Sequence, residues 1–218
     1  RRRHSFPTRR SSDLVESDNQ FMIETDYKNH FEEAAFLLGL NYRRIYMPEL
    51  YQDFSASFST NGSILPGWLL FTELHRKFLP DQTLIAGLGV GYISNTAPYT
   101  NAYGLAELTY YLPAFVALQA GVRFNRSSPG DVDTFRYFGL IQFIYEQTID
   151  AFIKYETGQE GYQVVGTGAF KNEFTSTIEA AQIRYWFNRQ WGAFANVEYY
   201  QSPFYNRQSW GGGLLVQF

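Results

Sequence analysis

The stretch AFVALQAGVRFN, residues 114–125, decides the fold class, because its side chains alternate in kind from one residue to the next. Every second position from Val116 to Phe124 is apolar, and the positions between are small or polar and include Gln119 and Arg123. A period of two places successive side chains on opposite faces of a β-strand. The stretch is therefore predicted to be a strand with one apolar and one polar face.

The same pattern recurs along the chain. Residues 149–156, 191–200 and 207–218 alternate in this way, and further segments have the Tyr, Phe, Ile, Leu, Thr and Gly content of strands. Turn signals such as Asn61-Gly62 separate them. Together these are eleven candidate strands: 34–44, 49–59, 67–78, 82–93, 101–112, 114–125, 134–146, 149–156, 176–187, 191–200 and 207–218.

The length of these segments favours a membrane protein. Most have roughly ten to twelve residues, about the length that a tilted strand needs to cross a bilayer. The strands of a soluble β-sandwich, the alternative architecture, usually have only about five or six. We therefore predict an all-β fold, a transmembrane antiparallel up-and-down β-barrel of about 10–12 strands. Because such a barrel closes with an even number, either one strand was lost together with a native N-terminus, or residues 162–170 form a twelfth strand, or one assignment is wrong.

Composition agrees with this prediction. Aromatic residues make up 19% of the chain, mostly Tyr and Phe, and Tyr and Trp favour the membrane–water interface. No apolar run approaches the roughly 18 residues of a membrane-spanning helix. Cysteine is absent, which excludes disulfides and sites built on thiolates. No cofactor or metal site is predicted.

The N-terminal residues differ from the rest. Residues 1–14, RRRHSFPTRRSSDL, have no periodicity and resemble translated sequencing adapter, so we predict a non-native tail. Residues 15–33 are predicted to be a lead-in, and residues 34–218 the outer-membrane barrel. Without the tail, 13 basic and 20 acidic residues remain of the 18 and 21, a net charge of −7. This acidic body argues against nucleic acid as a partner, since phosphate binding needs clustered Lys and Arg.

The C-terminal half resembles a known family. Residues 176–218 resemble the last strands of bacterial outer-membrane barrels, and Phe218 matches their C-terminal aromatic residue. Gly104 to Phe218 is similar to the YaiO-type outer-membrane barrel family, in AELTYYLP, LQAGVRFN, FRYFGLIQFIYEQ and KYETGQEGY, and the region before residue 100 is similar more loosely. The resemblance implies an outer-membrane location, surrounding lipid, and recognition of Phe218 by the barrel-assembly machinery. It implies no activity.

No catalytic site is predicted. Of three histidines, His4 lies in the tail and His30 in the lead-in. Glu73 and His75 are two residues apart on one face of a strand, which would suit an acid–base pair, but a polar cluster at the membrane rim is the favoured interpretation. A lipid-modifying barrel enzyme would need a Ser–His pairing, and the sequence indicates none.

The polar faces of the strands suggest the function. They are predicted to line a narrow lumen. Their charges either form ion pairs that fill the lumen, or surround an open conduit that selects solutes by charge. Glu179 has the opposite parity to Arg184, which a bulge or an interfacial position would explain. We predict a structural or transport barrel of unassigned cargo, either small-molecule or polysaccharide; a lipid-modifying enzyme and a surface-binding interaction barrel are the alternatives. The predicted lumen residues are Glu107, Gln119, Arg123, Lys154, Glu156, Arg184 and Glu198.

Overall fold

The computed structural model describes most of the chain. The described residues are 19–30, 33–62, 66–79, 81–95, 99–112, 115–146, 148–160, 163–165, 169–171 and 174–217. They form fourteen strands: β1 Asn19–His30, β2 Glu33–Met47, β3 Leu50–Ser59, β4 Trp68–Phe78, β5 Leu84–Ser94, β6 Thr100–Leu112, β7 Val116–Ser128, β8 Val132–Tyr145, β9 Ile149–Glu160, β10 Gln163–Val165, β11 Ala169–Lys171, β12 Phe174–Trp186, β13 Trp191–Gln201 and β14 Asn206–Gln217. No helix in this part of the chain is long and apolar enough to cross a membrane.

Twelve of the described strands close into one barrel. Each pairs antiparallel with its neighbours in the order β1-β2-β3-β4-β5-β6-β7-β8-β9-β12-β13-β14, and β14 returns to β1. Strands β10 and β11 pair only with each other, within the connection from β9 to β12. The predicted up-and-down barrel is therefore confirmed, with twelve strands. Within the predicted segment 162–170, the described residues 163–165 and 169–170 belong to β10 and β11 and supply no barrel strand.

The twelfth barrel strand is β1, in the segment that was predicted to be a lead-in. It pairs with β2 from Asn19 opposite Arg44 to His30 opposite Glu33, and with β14 from Met22 opposite Gln217 to Asn29 opposite Trp210. The predicted barrel boundary at residue 34 is therefore wrong, and β14 closes the barrel against β1 and not against the predicted strand 34–44. The polar residues of β1 conceal its alternation, because a strand that lines a polar lumen has a weak apolar signal. Residues 1–18 lie outside the described part of the chain.

The two ends of the barrel differ. Asn19 and Gln217 lie at one end, here called the turn end, where the connections 48–49, 79–83, 113–115, 146–148 and 187–190 are short. At the opposite end, the loop end, connections 60–67 and 161–173 are longer, whereas 31–32, 129–131 and 202–205 are as short as those of the turn end. Outer-membrane barrels have short periplasmic turns and longer extracellular loops. This rule places the turn end in the periplasm.

Apolar side chains cover the outside of the barrel. Leu118, Ile153, Val197 and Leu214 are exposed on the outward face, as the alternation predicts. Val116, Val122, Ile149 and Val216 share that face and are partly exposed. Aromatic side chains lie near both ends of the barrel, and in a membrane they would form the interfacial belts of such proteins. They include Trp68 and Tyr92, stacked 5.0 Å apart near the loop end, and Tyr185, Phe187 and Trp191 near the turn end.

Glu179 of β12 is the carboxylate whose parity is opposite to that of Arg184. The register of β12 runs without a shift against both β9 and β13, so no bulge separates Glu179 from Arg184. Glu179 is exposed on the outward face, opposite Tyr155 and Tyr199 of the neighbouring strands. Of the two explanations that the sequence left open, a bulge is therefore wrong for β12.

Candidate functional site: the charged lumen

A buried carboxylate organises the loop-end half of the lumen. Glu156 of β9 accepts a bond from Arg136 Nε at 2.5 Å and from Arg123 Nη2 at 2.5 Å, both on its Oε1. Lys154 Nζ lies 2.6 Å from its Oε2. Glu156 and Arg136 are 3% and 4% exposed, so these contacts are screened little by water.

The same arginine extends this arrangement toward the loop end. Arg136 Nη1 donates to Glu160 at 2.9 Å and to Ser176 at 2.8 Å. Ser176 in turn donates to Glu160. Register explains the meeting of these side chains, because Arg136 lies opposite Gly158 on β9, between Glu156 and Glu160. We call this set the Glu156 network: Arg123, Arg136, Lys154, Glu156, Glu160 and Ser176.

Aromatic rings support the cations of the network. Lys154 Nζ lies 5.2 Å from the centre of the Phe138 ring, and Arg123 lies 5.8 Å from that of Tyr103. Both distances allow a cation–π attraction. Tyr103 also stacks with Phe71, with ring centres 5.6 Å apart.

Glycines beneath the rings make this layer possible. A Cβ atom at Gly89 would come within 2.8 Å of the Phe71 ring. Gly91 and Gly121 likewise face the rings of Tyr103 and Phe138 across a distance too short for a Cβ. The glycines of these strands therefore provide room for rings from neighbouring strands.

A second charged group lies toward the turn end, on the wall from β2 to β6. Asp53 accepts a two-bond fork from Arg43, at 2.6 and 2.8 Å. His75 Nε2 lies 3.3 Å from Asp53 Oδ2 and 3.4 Å from Glu73 Oε2. Glu107 of β6 reaches the same place from the far side of β5, across Gly87. We call Arg43, Asp53, Glu73, His75 and Glu107 the His75 cluster.

The position of the His75 cluster corrects one interpretation. Glu73 and His75 share a face, as predicted, but they are 7% and 3% exposed and lie inside the barrel. They do not form a solvated polar cluster at the membrane rim. The sequence conceals this burial, because parity gives the face of a strand residue without telling what neighbouring strands place over it.

A chamber of about 390 Å³ occupies the turn-end half of the lumen. Strands on nearly all sides contribute to its wall, including β1, β2, β3, β7, β8, β9, β12 and β14. Arg43 and Asp53 connect its wall with the His75 cluster. Its polar lining includes Asn41, Ser55, Gln119, Gln142, Asp150 and Arg184.

The predicted lumen residues fall into separate groups. Arg123, Lys154 and Glu156 meet in the Glu156 network. Glu107 belongs to the His75 cluster, and Gln119 and Arg184 line the chamber. Glu198 accepts a bond from Arg207 of β14 at 2.7 Å.

Sequence reasoning missed several members of these groups. Arg43, Asp53, Arg136 and Arg207 were not singled out, although strand parity was available as a signal for each. Phe218, the predicted assembly signal, lies outside the described residues.

Comparison with solved structures shows the same architecture. An outer membrane channel from Pseudomonas putida F1 superposes with a TM-score of 0.68 at 9% identity, over 92% of this chain and 95% of that one. A NanC porin gives 0.63 at 8% identity, over 90% and 98%. A KdgM porin gives 0.59 at 8% identity, over 90% and 99%. A search of curated proteins finds no match.

A family model identifies the chain more directly. The model of the YaiO membrane beta barrel domain matches residues 11–163. The match includes the region before residue 100, where a looser resemblance was expected, and it ends before the last three strands. It begins within the predicted tail, residues 1–14. The chain belongs to the YaiO family of membrane β-barrels and is an integral protein of the bacterial outer membrane.

Proposed function

We propose that the barrel is a narrow channel for small hydrophilic solutes, lined by Glu107, Gln119, Arg123, Lys154, Glu156, Arg184 and Glu198. The observation that carries this proposal is the polar chamber, since charged and amide side chains from opposite walls face one cavity of about 390 Å³. Burying such groups in a sealed interior costs free energy that apolar side chains would avoid. A porin and an outer membrane channel are among the similar structures, which agrees with a transport role.

Charge at the Glu156 network would set the selectivity. Three cationic side chains face two carboxylates there, Glu156 and Glu160, which leaves an excess of one positive charge. Fixed charges around a narrow passage favour ions of the opposite sign. The loop-end half of the lumen should therefore favour small anions.

Ion selectivity in a planar bilayer tests this proposal. The folded wild-type barrel should give small unitary currents with a preference for anions. Glu156→Gln removes one negative charge and should raise the anion-to-cation permeability ratio, whereas Lys154→Gln should lower it. Asp133→Asn, at an exposed ion pair with Arg126, should leave the ratio unchanged.

Two results would contradict the channel. The first is a correctly folded barrel, verified by its heat-modifiable band on a gel, that conducts no more than empty membrane. That result would indicate a structural role. Currents that neither lumen variant alters would place the ion path away from the Glu156 network.

We further infer that the barrel is not an enzyme. The lipid-modifying alternative requires a serine beside a histidine at the outer rim. His75 instead contacts Asp53, Glu73 and the ring of Tyr51, and within the described residues no serine makes a hydrogen bond to it. Its burial inside the lumen also separates it from lipid.

Phe218 is proposed to be the signal that the barrel-assembly machinery recognises. The support is the resemblance of the C-terminal segment to the last strands of such barrels, together with the position of β14 as a full strand paired on both sides. Deleting Phe218 should reduce insertion in cells much more than refolding in detergent micelles. Equal losses in the two assays would reduce its role to packing.

A further inference from the structure

Three arginines of the described strands face outward, and two of them lie close together at the turn end. Arg126 is paired with Asp133 near the loop end. Arg44 of β2 and Arg76 of β4 lie three residues and two residues from the last residue of their strands, both at the turn end. The orientation of the barrel places them at the periplasmic interface of the membrane.

Neither of these two arginines is paired with a carboxylate. Arg44 Nη1 donates a hydrogen bond to the neutral side chain of Asn19 at 2.6 Å. The guanidinium carbon of Arg76 lies 5.4 Å from the centre of the Phe78 ring. Among the described residues, no carboxylate forms an ion pair with either arginine, including Glu49 of the neighbouring turn. The outward face therefore carries two positive charges there without a paired anion.

Strand β3 separates the two arginines by the width that one shared anion can fill. Gln52 lies opposite Arg44, and Leu50 lies opposite Arg76. Adjacent strands are about 4.7–4.9 Å apart, so β2 and β4 are roughly 9–10 Å apart, a gap that two arginine side chains can span around one phosphate. Gln52 accepts a hydrogen bond from Tyr46 at 2.8 Å and adds no charge between them.

An apolar groove of about 520 Å³ on the outward face begins beside this pair. Tyr42, two residues from Arg44 on the same face, lines its near end. Ala56, a small residue, lies within the groove between Leu40 and Leu70, its partners on β2 and β4. It is four residues along β3 from the position opposite Arg44, roughly 13 Å at 3.2–3.4 Å per residue. A lipid acyl chain extends from its headgroup toward the membrane midplane, so the groove lies in its path.

We propose that Arg44 and Arg76 bind the phosphate of one anionic glycerophospholipid in the periplasmic leaflet, with an acyl chain in the groove over Ala56. Guanidinium groups bind phosphate through paired, charge-assisted hydrogen bonds. The apolar groove takes the chain of the same lipid. Arginines that only extended their charge into water would not distinguish one lipid from another. This site is independent of the proposed channel, because it lies on the outside of the barrel.

Lipid selectivity of the full-length, detergent-folded barrel tests this site. The barrel is equilibrated with equal amounts of anionic phosphatidylglycerol and zwitterionic phosphatidylcholine of matched acyl chains, and bound lipid is measured by native mass spectrometry. The wild type should retain one phosphatidylglycerol per chain, and inorganic phosphate at the same concentration should not displace it. Arg44→Gln and Arg76→Gln should each weaken its binding about fivefold, the usual contribution of one arginine to the binding of anionic lipid.

Two further variants distinguish a specific site from general attraction to anionic lipid. Arg189→Gln removes an arginine from the turn between β12 and β13, at the same end of the barrel, and should leave binding unchanged. Ala56→Phe fills the groove on the lipid-facing surface without altering charge, and should weaken binding. Equal losses from Arg189→Gln and Arg44→Gln would overturn the proposal. Equal retention of the two lipids by the wild type, or displacement by inorganic phosphate, would do so too.

Discussion

Arg136→Met should destabilise the folded barrel by roughly 3–5 kcal/mol, the cost of removing one partner from a buried ion pair. Arg136 donates to Glu156 at 2.5 Å, to Glu160 at 2.9 Å and to Ser176 at 2.8 Å. Methionine fills similar volume without charge, so the variant isolates the lost electrostatic contacts from packing. Reversible urea unfolding in micelles, followed by tryptophan fluorescence, measures the difference.

Arg126→Met is the matched control. Arg126 makes an equally short fork to Asp133, at 2.7 Å for both bonds, but the two side chains are 55% and 42% exposed. Exposed ion pairs contribute little, because water screens them. If the two arginine variants lowered the free energy of unfolding by similar amounts, burial would not strengthen the contacts of the Glu156 network.

Ile153→Arg should destabilise the barrel in phospholipid vesicles by roughly 2–4 kcal/mol, the usual cost of an arginine at the bilayer midplane on the lipid face. Ile153 lies in the middle of β9, points outward and is 63% exposed. Its direct partners across the sheet are the uncharged Ile141 and Ala181, and Glu179, on the same outward face of β12, lies diagonally from it.

The control for this substitution is an arginine at an outward position near the membrane interface. Trp191→Arg alters an outward position at the turn end of β13, where the cost of arginine falls to about 0–1 kcal/mol. The free energies of unfolding of the two variants, measured in the same vesicles, compare the cost of arginine at the bilayer midplane with its cost at the interface. If Ile153→Arg is tolerated as well as Trp191→Arg, the apolar belt is not centred where the structure indicates.

The fold was largely predictable from sequence. The predicted strands 49–59, 67–78 and 101–112 match Leu50–Ser59, Trp68–Phe78 and Thr100–Leu112 within two residues at each end. Strand alternation is a local property, so a single chain reveals it. β1 was missed because Glu24 and its polar neighbours made the segment resemble a solvated lead-in, whereas Phe21 and Tyr27 on its other face are exposed to the membrane side.

The site was predictable only in part, because its contacts depend on register. Parity placed Arg123 and Glu156 on polar faces, but they are 33 residues apart and meet across β8. Nothing local to Asp53 indicates that His75 will lie beside it, since their contact follows from the pairing of β3 with β4. Strand parity therefore predicts which residues are candidates for the lumen. Identifying the Glu156 network and the His75 cluster required the strand pairing of the closed barrel.

Spin-label accessibility along β9 tests the membrane-spanning barrel most directly. The chain has no cysteine, so single-cysteine variants at positions 152, 153, 154 and 155 carry one label each. In vesicles, labels at 153 and 155 should be accessible to oxygen, which dissolves in lipid. Labels at 152 and 154 should be accessible instead to a water-soluble nickel chelate. Alternation with this period and phase is the predicted result; uniform accessibility, or the opposite phase, would contradict a barrel with a polar lumen and a lipid-facing exterior.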